Sequence, residues 1–460
     1  MIQLPPDQVE FEPGHAHTWR LSFPDAPAAP ASRRPISYNQ AVHLGAAWSA
    51  HTANRPATFA IACGFQMPGR IDVPALEAAF LHLAHRHEVL RTRCRPTPWG
   101  VSAHAHAPQE THLEHIEAGP LTSPSSTRAH LHQLLRQVNP ITGPLVVMGA
   151  VVRENSATVH VVYDHLVADV LSAPITVAEL TRAYEDLAHN RRPDPTPADT
   201  FWHFARKERT FNRALRAEDD QLRGWRDFTA PGAQFLPSFP LDLGVQPHHR
   251  YPSLNRTHTL LPDHLTQRVE TACRASGGTL LTGLLAATAT SVRDEGGPDT
   301  YRALMPLNRR EPDRYSHSVG WFVNAVPIEI PAPRQAPFNT LIAQALQGYE
   351  AGRRHVAVAS ARAQELLGYA EDTATDHHPV NFFSYLDFRT APGAEHPSTR
   401  TARVHLWYPA SNGTFFWFHR NHSGLHLNTL HADTPRARHT VNALVHRLIR
   451  TLRAYAGASR

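Results

Sequence analysis

Between Thr158 and Asn190 the chain reads strand, tight turn and helix in immediate succession, and that order decides the class of fold before anything else. Thr158–Tyr163 alternates apolar side chains as a strand does. Asp164–Asp169 leaves room only for a tight connection. Beyond it Val177, Leu180, Tyr184 and Leu187 recur at helical spacing, with Ser172 placed to cap the helix and Pro174 suited to its first turn. A strand that feeds directly into an amphipathic helix needs a sheet with helices packed on it, so the fold class is mixed α/β (α+β). At 460 residues the chain exceeds one ordinary core, and two or three domains are expected.

The same texture recurs along the chain. Residues 1–34 are rich in proline, alanine and polar residues and predict an N-terminal arm with little helix or strand. A helix is expected at 37–50, a strand at 57–66, a helix beginning near Val73 and a strand at 145–153. Three prolines within 191–200 exclude helix interior and central strand there, and mark a linker. After it, helices are expected at 264–276, 279–293, 337–354 and 436–456, and strands at 301–306, 321–330, 380–388, 404–409, 415–419 and 425–431. The organisation predicted is an arm (1–34), an N-terminal subdomain (35–190), a linker (191–200) and a C-terminal subdomain (201–460).

Composition narrows the function classes. Hydrophobic residues make up 42% and charged residues 18%, which is globular. The net charge of +5 comes from dispersed arginines without a basic stripe, which argues against a nucleic-acid binder and suits an acidic protein partner. Lys207 is the sole lysine, so arginine abundance and most of the 33 histidines reflect a general bias rather than sites. Cys63, Cys94 and Cys273 are too widely spaced for a disulfide framework, which points to a reduced, cytoplasmic protein. No leader-like segment or membrane-length apolar run is seen, so no membrane association is expected. His248–His249 and His377–His378 lack a cysteine or carboxylate partner, so no metal is expected. Without a Gly-rich phosphate loop, a nucleotide cofactor is not expected either.

His165, at the end of a strand on a short loop, is the candidate for chemistry, because imidazole exchanges a proton with an attacking amine or hydroxyl near neutral pH. Among 33 histidines an HxxxD pattern alone is weak. Its company is not. The run Asp164-His165-Leu166-Val167-Ala168-Asp169-Val170 resembles the HHxxxDG signature of nonribosomal peptide synthetase condensation domains, within the chloramphenicol-acetyltransferase-like (CAT-like) superfamily. PISYNQAVHLGAAW (35–48), with Ser37 and Gln40, resembles the family's opening motif, and RHEVLRTRC (86–94) its RHExLRTxF. NPITGPLV (139–146), FWHFARKE (201–208) with Trp225, MPLNRR (305–310) with VGWFVNAVPIEI (319–330), VNFFSYLDF (380–388) and SGLHLNTLHADT (423–434) follow in the family's order. The resemblance runs from Pro35 to the C-terminus.

The resemblance implies two CAT-like subdomains in a V-shaped pseudo-dimer with a central tunnel. His165 matches the signature's second histidine, which orients or deprotonates the acceptor as it attacks a thioester carbonyl. Asp169 matches a structural aspartate paired with an arginine, for which Arg309 is the first candidate and Arg310 the second. Asn324 and Ser384 are candidate polar groups of the tunnel, with Trp321 and Tyr385 nearby, although the aromatic residues of these strands suit the core as well. Asp164 replaces the first histidine; it either raises the basicity of His165 or hydrogen-bonds backbone amides. Val170 replaces the glycine, so either the loop has ordinary backbone or the valine narrows the tunnel. The late HQDxPFE motif is missing, where this chain has RRHVAVASARAQELLG. The implied function is a free-standing condensation-type acyltransferase of natural-product (nonribosomal peptide or antibiotic) biosynthesis. It joins an acyl thioester, on a carrier protein's phosphopantetheine or on coenzyme A, to an amine or alcohol. The expected state is a monomer partnered by an acyl or peptidyl carrier protein. Alternatives are a catalytically silent module that recruits a partner, or an enzyme of altered reaction such as cyclisation or hydrolysis.

Overall fold

Strand pairing and helix packing sort the chain into two units, each assembled from three stretches of sequence. The computed structural model describes residues 1–460 except 25–31, 56–58, 98–99, 195, 231–233, 247–248, 370–377 and 458–460. The first unit comprises Met1–Phe211, Arg310–Phe322 and Phe388–Pro409, and the second Asn212–Arg309, Val323–Asp387 and Ala410–Arg460.

The first unit is built on a seven-stranded sheet in the order Ile2–Gln3, Arg403–Trp407, Ala60–Pro68, Ser156–Asp164, Val146–Val152, Gly14–Ser22, His112–Leu121. Pairing is antiparallel except between the first two strands. Ala60–Pro68 and Ser156–Asp164 lie mid-sheet and are buried nearly throughout, which is why AIACGFQMP and SATVHVVYD carry so few charges. Their register puts Ala60 opposite Asp164, so the signature turn leaves the sheet at a fixed edge. Helix Pro124–Gln137 buries Leu131, Leu134 and Leu135 against Val147 and Val162, while helices Val73–Arg86 and Ser172–Ala188 pack on one another. A smaller sheet joins Ser32–Arg34, Gly100–Ala105 and Thr92–Thr97.

The second unit has a six-stranded sheet in the order Ser253–Pro262, Gly424–Ala432, Thr414–Asn421, Asn381–Asp387, Thr300–Asn308, Val323–Pro331. Asn381–Asp387 pairs parallel with both neighbours. Helices Asp263–Ala275, Leu280–Asp294, Phe338–Arg353 and Pro435–Gly457 supply its core, in which Leu284, Leu285, Ile328, Phe383, Leu427 and Leu444 meet. These match the helices expected after the linker to within a residue or two. Among the described residues, no helix is long and apolar enough to cross a membrane.

Three expectations are corrected. Residues 1–34 are not an arm: they give strands Ile2–Gln3, Gly14–Ser22 and Ser32–Arg34, and Gly14–Ser22 is hydrogen-bonded on both edges. Its buried Ala16, Thr18, Trp19 and Leu21 are interleaved with histidine and arginine, so composition hid the strand, and its partners lie far along the sequence. The chain does not divide at 191–200 into two contiguous subdomains: the units part at Phe211/Asn212, and later segments return to the first unit. Arg403–Trp407 does so by pairing with Ala60–Pro68, a long-range match that no local pattern reveals. Finally, the strand expected from Trp321 begins at Val323, which leaves Trp321 in the first unit.

Candidate active site

The turn after Ser156–Asp164 is held at each step by a specific hydrogen bond. The Asp164 amide donates to Leu145 O at 2.9 Å, that of His165 to Phe59 O at 2.9 Å, and that of Val167 back to Asp164 O at 3.1 Å. Gln40 clamps the turn from outside, its Nε2 donating to Leu166 O at 2.7 Å. The same Gln40 closes a capping box with Ser37 at the start of helix Tyr38–Thr52. The two residues recognised in the opening motif therefore place the loop that carries His165. At the turn's far end, Asp169 rather than Ser172 caps the next helix: its Oδ1 accepts from the Ser172 amide at 3.0 Å and from the Ser172 hydroxyl at 3.0 Å. Ser172 is the helix's first residue, so its own amide is one of those needing an acceptor.

Asp169 also receives Arg310, through Nη1 at 2.7 Å and Nη2 at 2.8 Å. The Phe322 amide adds a bond at 3.0 Å to Oδ2. Arg310 donates further to Ser318 O and Gly320 O and lies over the Phe322 ring at 4.6 Å. Both partners are buried. The preferred candidate, Arg309, is corrected to Arg310; successive residues of extended chain project to opposite sides, and Arg310 is the one that faces Asp169. This bridge fastens the segment Arg310–Phe322 to the loop and brings Trp321 with it.

The His165 ring stacks on Trp321 at 4.0 Å between centroids and 23° between planes, with Phe59 at 4.6 Å on its other contact. Nδ1 lies 2.7 Å from Ala168 O. A carbonyl only accepts, so Nδ1 carries the proton and Nε2 presents a lone pair. Burial, and then the neighbouring His43, lower the pKa of His165 to about 4. The imidazole is thus neutral and proton-accepting at physiological pH, as a general base must be.

Asp164 does not reach toward His165 with a hydrogen bond. It is fully buried, and Oδ1 accepts from the Leu166 amide at 2.9 Å and from His43 Nε2 at 2.8 Å. The backbone-amide bond is therefore present, with an imidazole added that sequence reading missed; Asp164 also favours the protonated form of His165, although burial and His43 outweigh it. The available signal was spacing: His43 follows Gln40 by three residues on one helix face. Positive φ among described non-glycine residues occurs at Asn54, Asn190 and Gln335, so Val170 sits in ordinary backbone.

The remaining candidates are distributed differently. Asn324, Ser384 and Tyr385 belong to the second unit. Asn324 spends its side chain on backbone, donating to Val356 O and Val358 O and accepting from the Ser360 amide, so it is a latch between a strand and a loop. Ser384 and Tyr385 are half-buried on strand Asn381–Asp387. The RHE motif is scaffolding: Glu179 joins His87 at 2.7 Å and Arg86 at 3.1 Å, and although burial opposes it, these two partners hold its carboxyl below the usual range. Among the described residues, no group of three or more histidines, cysteines or carboxylates is disposed to hold a metal; His248 and His377 lie outside the described residues.

The family model for the condensation domain matches residues 48–388. Acyltransferase PapA3 of Mycobacterium tuberculosis is 25% identical over 386 residues, covering 82% of this chain and 80% of that protein. A PapA1 of Mycobacterium bovis, a 2'-acyl-2-O-sulfo-trehalose (hydroxy)phthioceranyltransferase, is 26% identical over 378 residues, 81% of this chain and 72% of its own length. The solved structure of the PapA2 acyl transferase is similar with a TM-score of 0.89 at 22% identity, covering 99% of this chain and 100% of that one.

Proposed function

We propose, since this chain belongs to the condensation-domain family and is an acyltransferase, that it transfers an acyl group from a thioester to a hydroxyl of a sugar-like acceptor with His165 as general base. The observation that carries the reading is the His165 tautomer: Nδ1 is committed to Ala168 O, and Nε2 is free on a neutral ring. In the reaction the acceptor oxygen attacks the thioester carbonyl carbon while Nε2 takes the hydroxyl proton. The tetrahedral oxyanion collapses, the carbon–sulfur bond breaks, and the imidazolium returns its proton to the departing thiolate. An ester and a free thiol result. Trp321 and Phe59 hold the ring in place, and the Asp169–Arg310 bridge holds Trp321's segment.

A hydroxyl acceptor is preferred over an amine because the PapA1 relative is named for transfer onto a trehalose derivative. The donor thioester is carried on coenzyme A or on a carrier protein's phosphopantetheine. Purified chain incubated with acyl-coenzyme A and acyl-carrier donors, against disaccharide and amine acceptors, tests the reading by intact-mass spectrometry of products. An O-acylated sugar that requires the enzyme is expected. Product from amines alone would overturn the acceptor class, and the absence of any transfer would favour a recruiting module.

A further inference from the structure

Beside His165 stands a second titratable pair for which the reaction as written has no use. Asp164 is fully buried, its Oδ2 has no hydrogen-bond partner among the described residues, and the ionisable group bonded to it is His43 at 2.8 Å. A buried carboxylate needs such a partner, since alone it is costly to hold. The His43 ring lies 6.4 Å from that of His165 and meets Trp321 edge-on, at 5.8 Å and 84°, while the indole face stacks on His165. One indole thus touches two imidazoles, of which one is tied to a carboxylate and the other is not.

The groups around His165 are few. Its own loop offers Asp164 and Asp169, and Asp169 is matched by Arg310 from the segment that also brings Trp321. Helix Tyr38–Thr52 offers His43, and Phe59 and Tyr408 contribute aromatic rings. On strand Thr92–Thr97, Cys94 feels Asp164; burial first, and that carboxylate second, push its thiol up to about 12, so it stays uncharged. After burial, His43 is the main influence holding His165 unprotonated, and the two aspartates oppose it.

We propose that His43 and Asp164 form a positioning pair for His165: Asp164 fixes the His43 imidazole edge-on against Trp321, whose face carries the His165 ring, and so places His43 where it opposes protonation of His165. The proposal rests on the reading of His165 as the base. It gives the exchange of the signature's first histidine for Asp164 a counterpart, an imidazole supplied from the opening helix instead.

Hydrogen exchange at histidine C2, followed by peptide mass spectrometry across pH, gives the titration midpoint of His165 in the full chain without any substrate. His43→Gln removes the neighbour that opposes protonation of His165 and keeps Asp164, which favours it, so the midpoint is expected to rise by about one pH unit, the scale of a single charge some 6 Å away. Asp164→Asn is expected to leave the midpoint in place or lower it. Thermal melts in the same buffers establish that the variants are folded. A folded His43→Gln with a wild-type midpoint, or an equal rise in both variants, overturns the pair. Should His43→Gln not fold, Asp164→Asn decides: a rise there overturns the proposal, and a fixed or lower midpoint supports it. If His165→Ala retains acyl transfer while the midpoints move as expected, the coupling stands and the assignment of the base falls.

Discussion

The proposed base, His165, would act only while unprotonated, and its partly buried, ring-packed setting keeps it so down to about pH 4. The rate of transfer at saturating substrate should therefore stay level from pH 7 to pH 5 and fall only as pH approaches 4, where an ordinary histidine would already have failed near 6.5. An acid limb near 6.5 would contradict the environment described. The buried Asp169–Arg310 bridge makes a second, sharper distinction. Arg310→Ala should cost about 3–5 kcal/mol in denaturant unfolding, because it strands a buried carboxylate. Arg309→Ala should cost far less. At this scale the sequence motif located His165 and Asp169 but not the side on which each neighbour falls. Arg310 against Arg309, and His43 against the other histidines, are decided by which way an extended segment or a helix face turns. That is settled by packing rather than by spacing.

Elements carry the site through their ends. Ser37 and Gln40 start one helix, and Gln40 also holds Leu166 O, so Gln40→Ala removes a cap and a buried loop bond together. A loss of about 1–3 kcal/mol in chemical unfolding is expected, larger than the roughly 1 kcal/mol of Ser37→Ala, which removes the cap alone. Strand Gly14–Ser22 lies inside the seven-stranded sheet, hydrogen-bonded to Val146–Val152 and His112–Leu121. Deleting residues 1–22 should yield insoluble protein or a chain without a cooperative melt, whereas a true arm would be dispensable. The helices with wide apolar faces, such as Leu280–Asp294 and Phe338–Arg353, were legible nearly to the residue. Gly14–Ser22 was not, because a strand whose polar positions are histidine and arginine shows no clean alternation, and the partners that make it a strand are distant.

Across the whole molecule, histidine burial sets the response to acid. His160 and His405 in the first unit and His419 in the second are buried, and burial lowers their pKa values to about 3, 4 and 3. The unfolded chain binds protons near 6.5 while these sites refuse them, so stability is retained above pH 6.5 and lost as pH falls toward the folded values. The loss is at most about 1.4 kcal/mol per pH unit for each histidine. The melting temperature should fall steadily below pH 6.5, and His160→Gln should flatten that slope; a melting temperature constant from pH 7 to pH 4.5 would contradict it. The central claim, that His165 takes the acceptor's proton, is tested most directly by single-turnover transfer from a thioester donor, comparing wild type with a His165→Ala variant shown by its melt to be folded. The account predicts a loss of 100-fold or more, on the order of what a positioned general base contributes. A folded His165→Ala that transfers at the wild-type rate would contradict it.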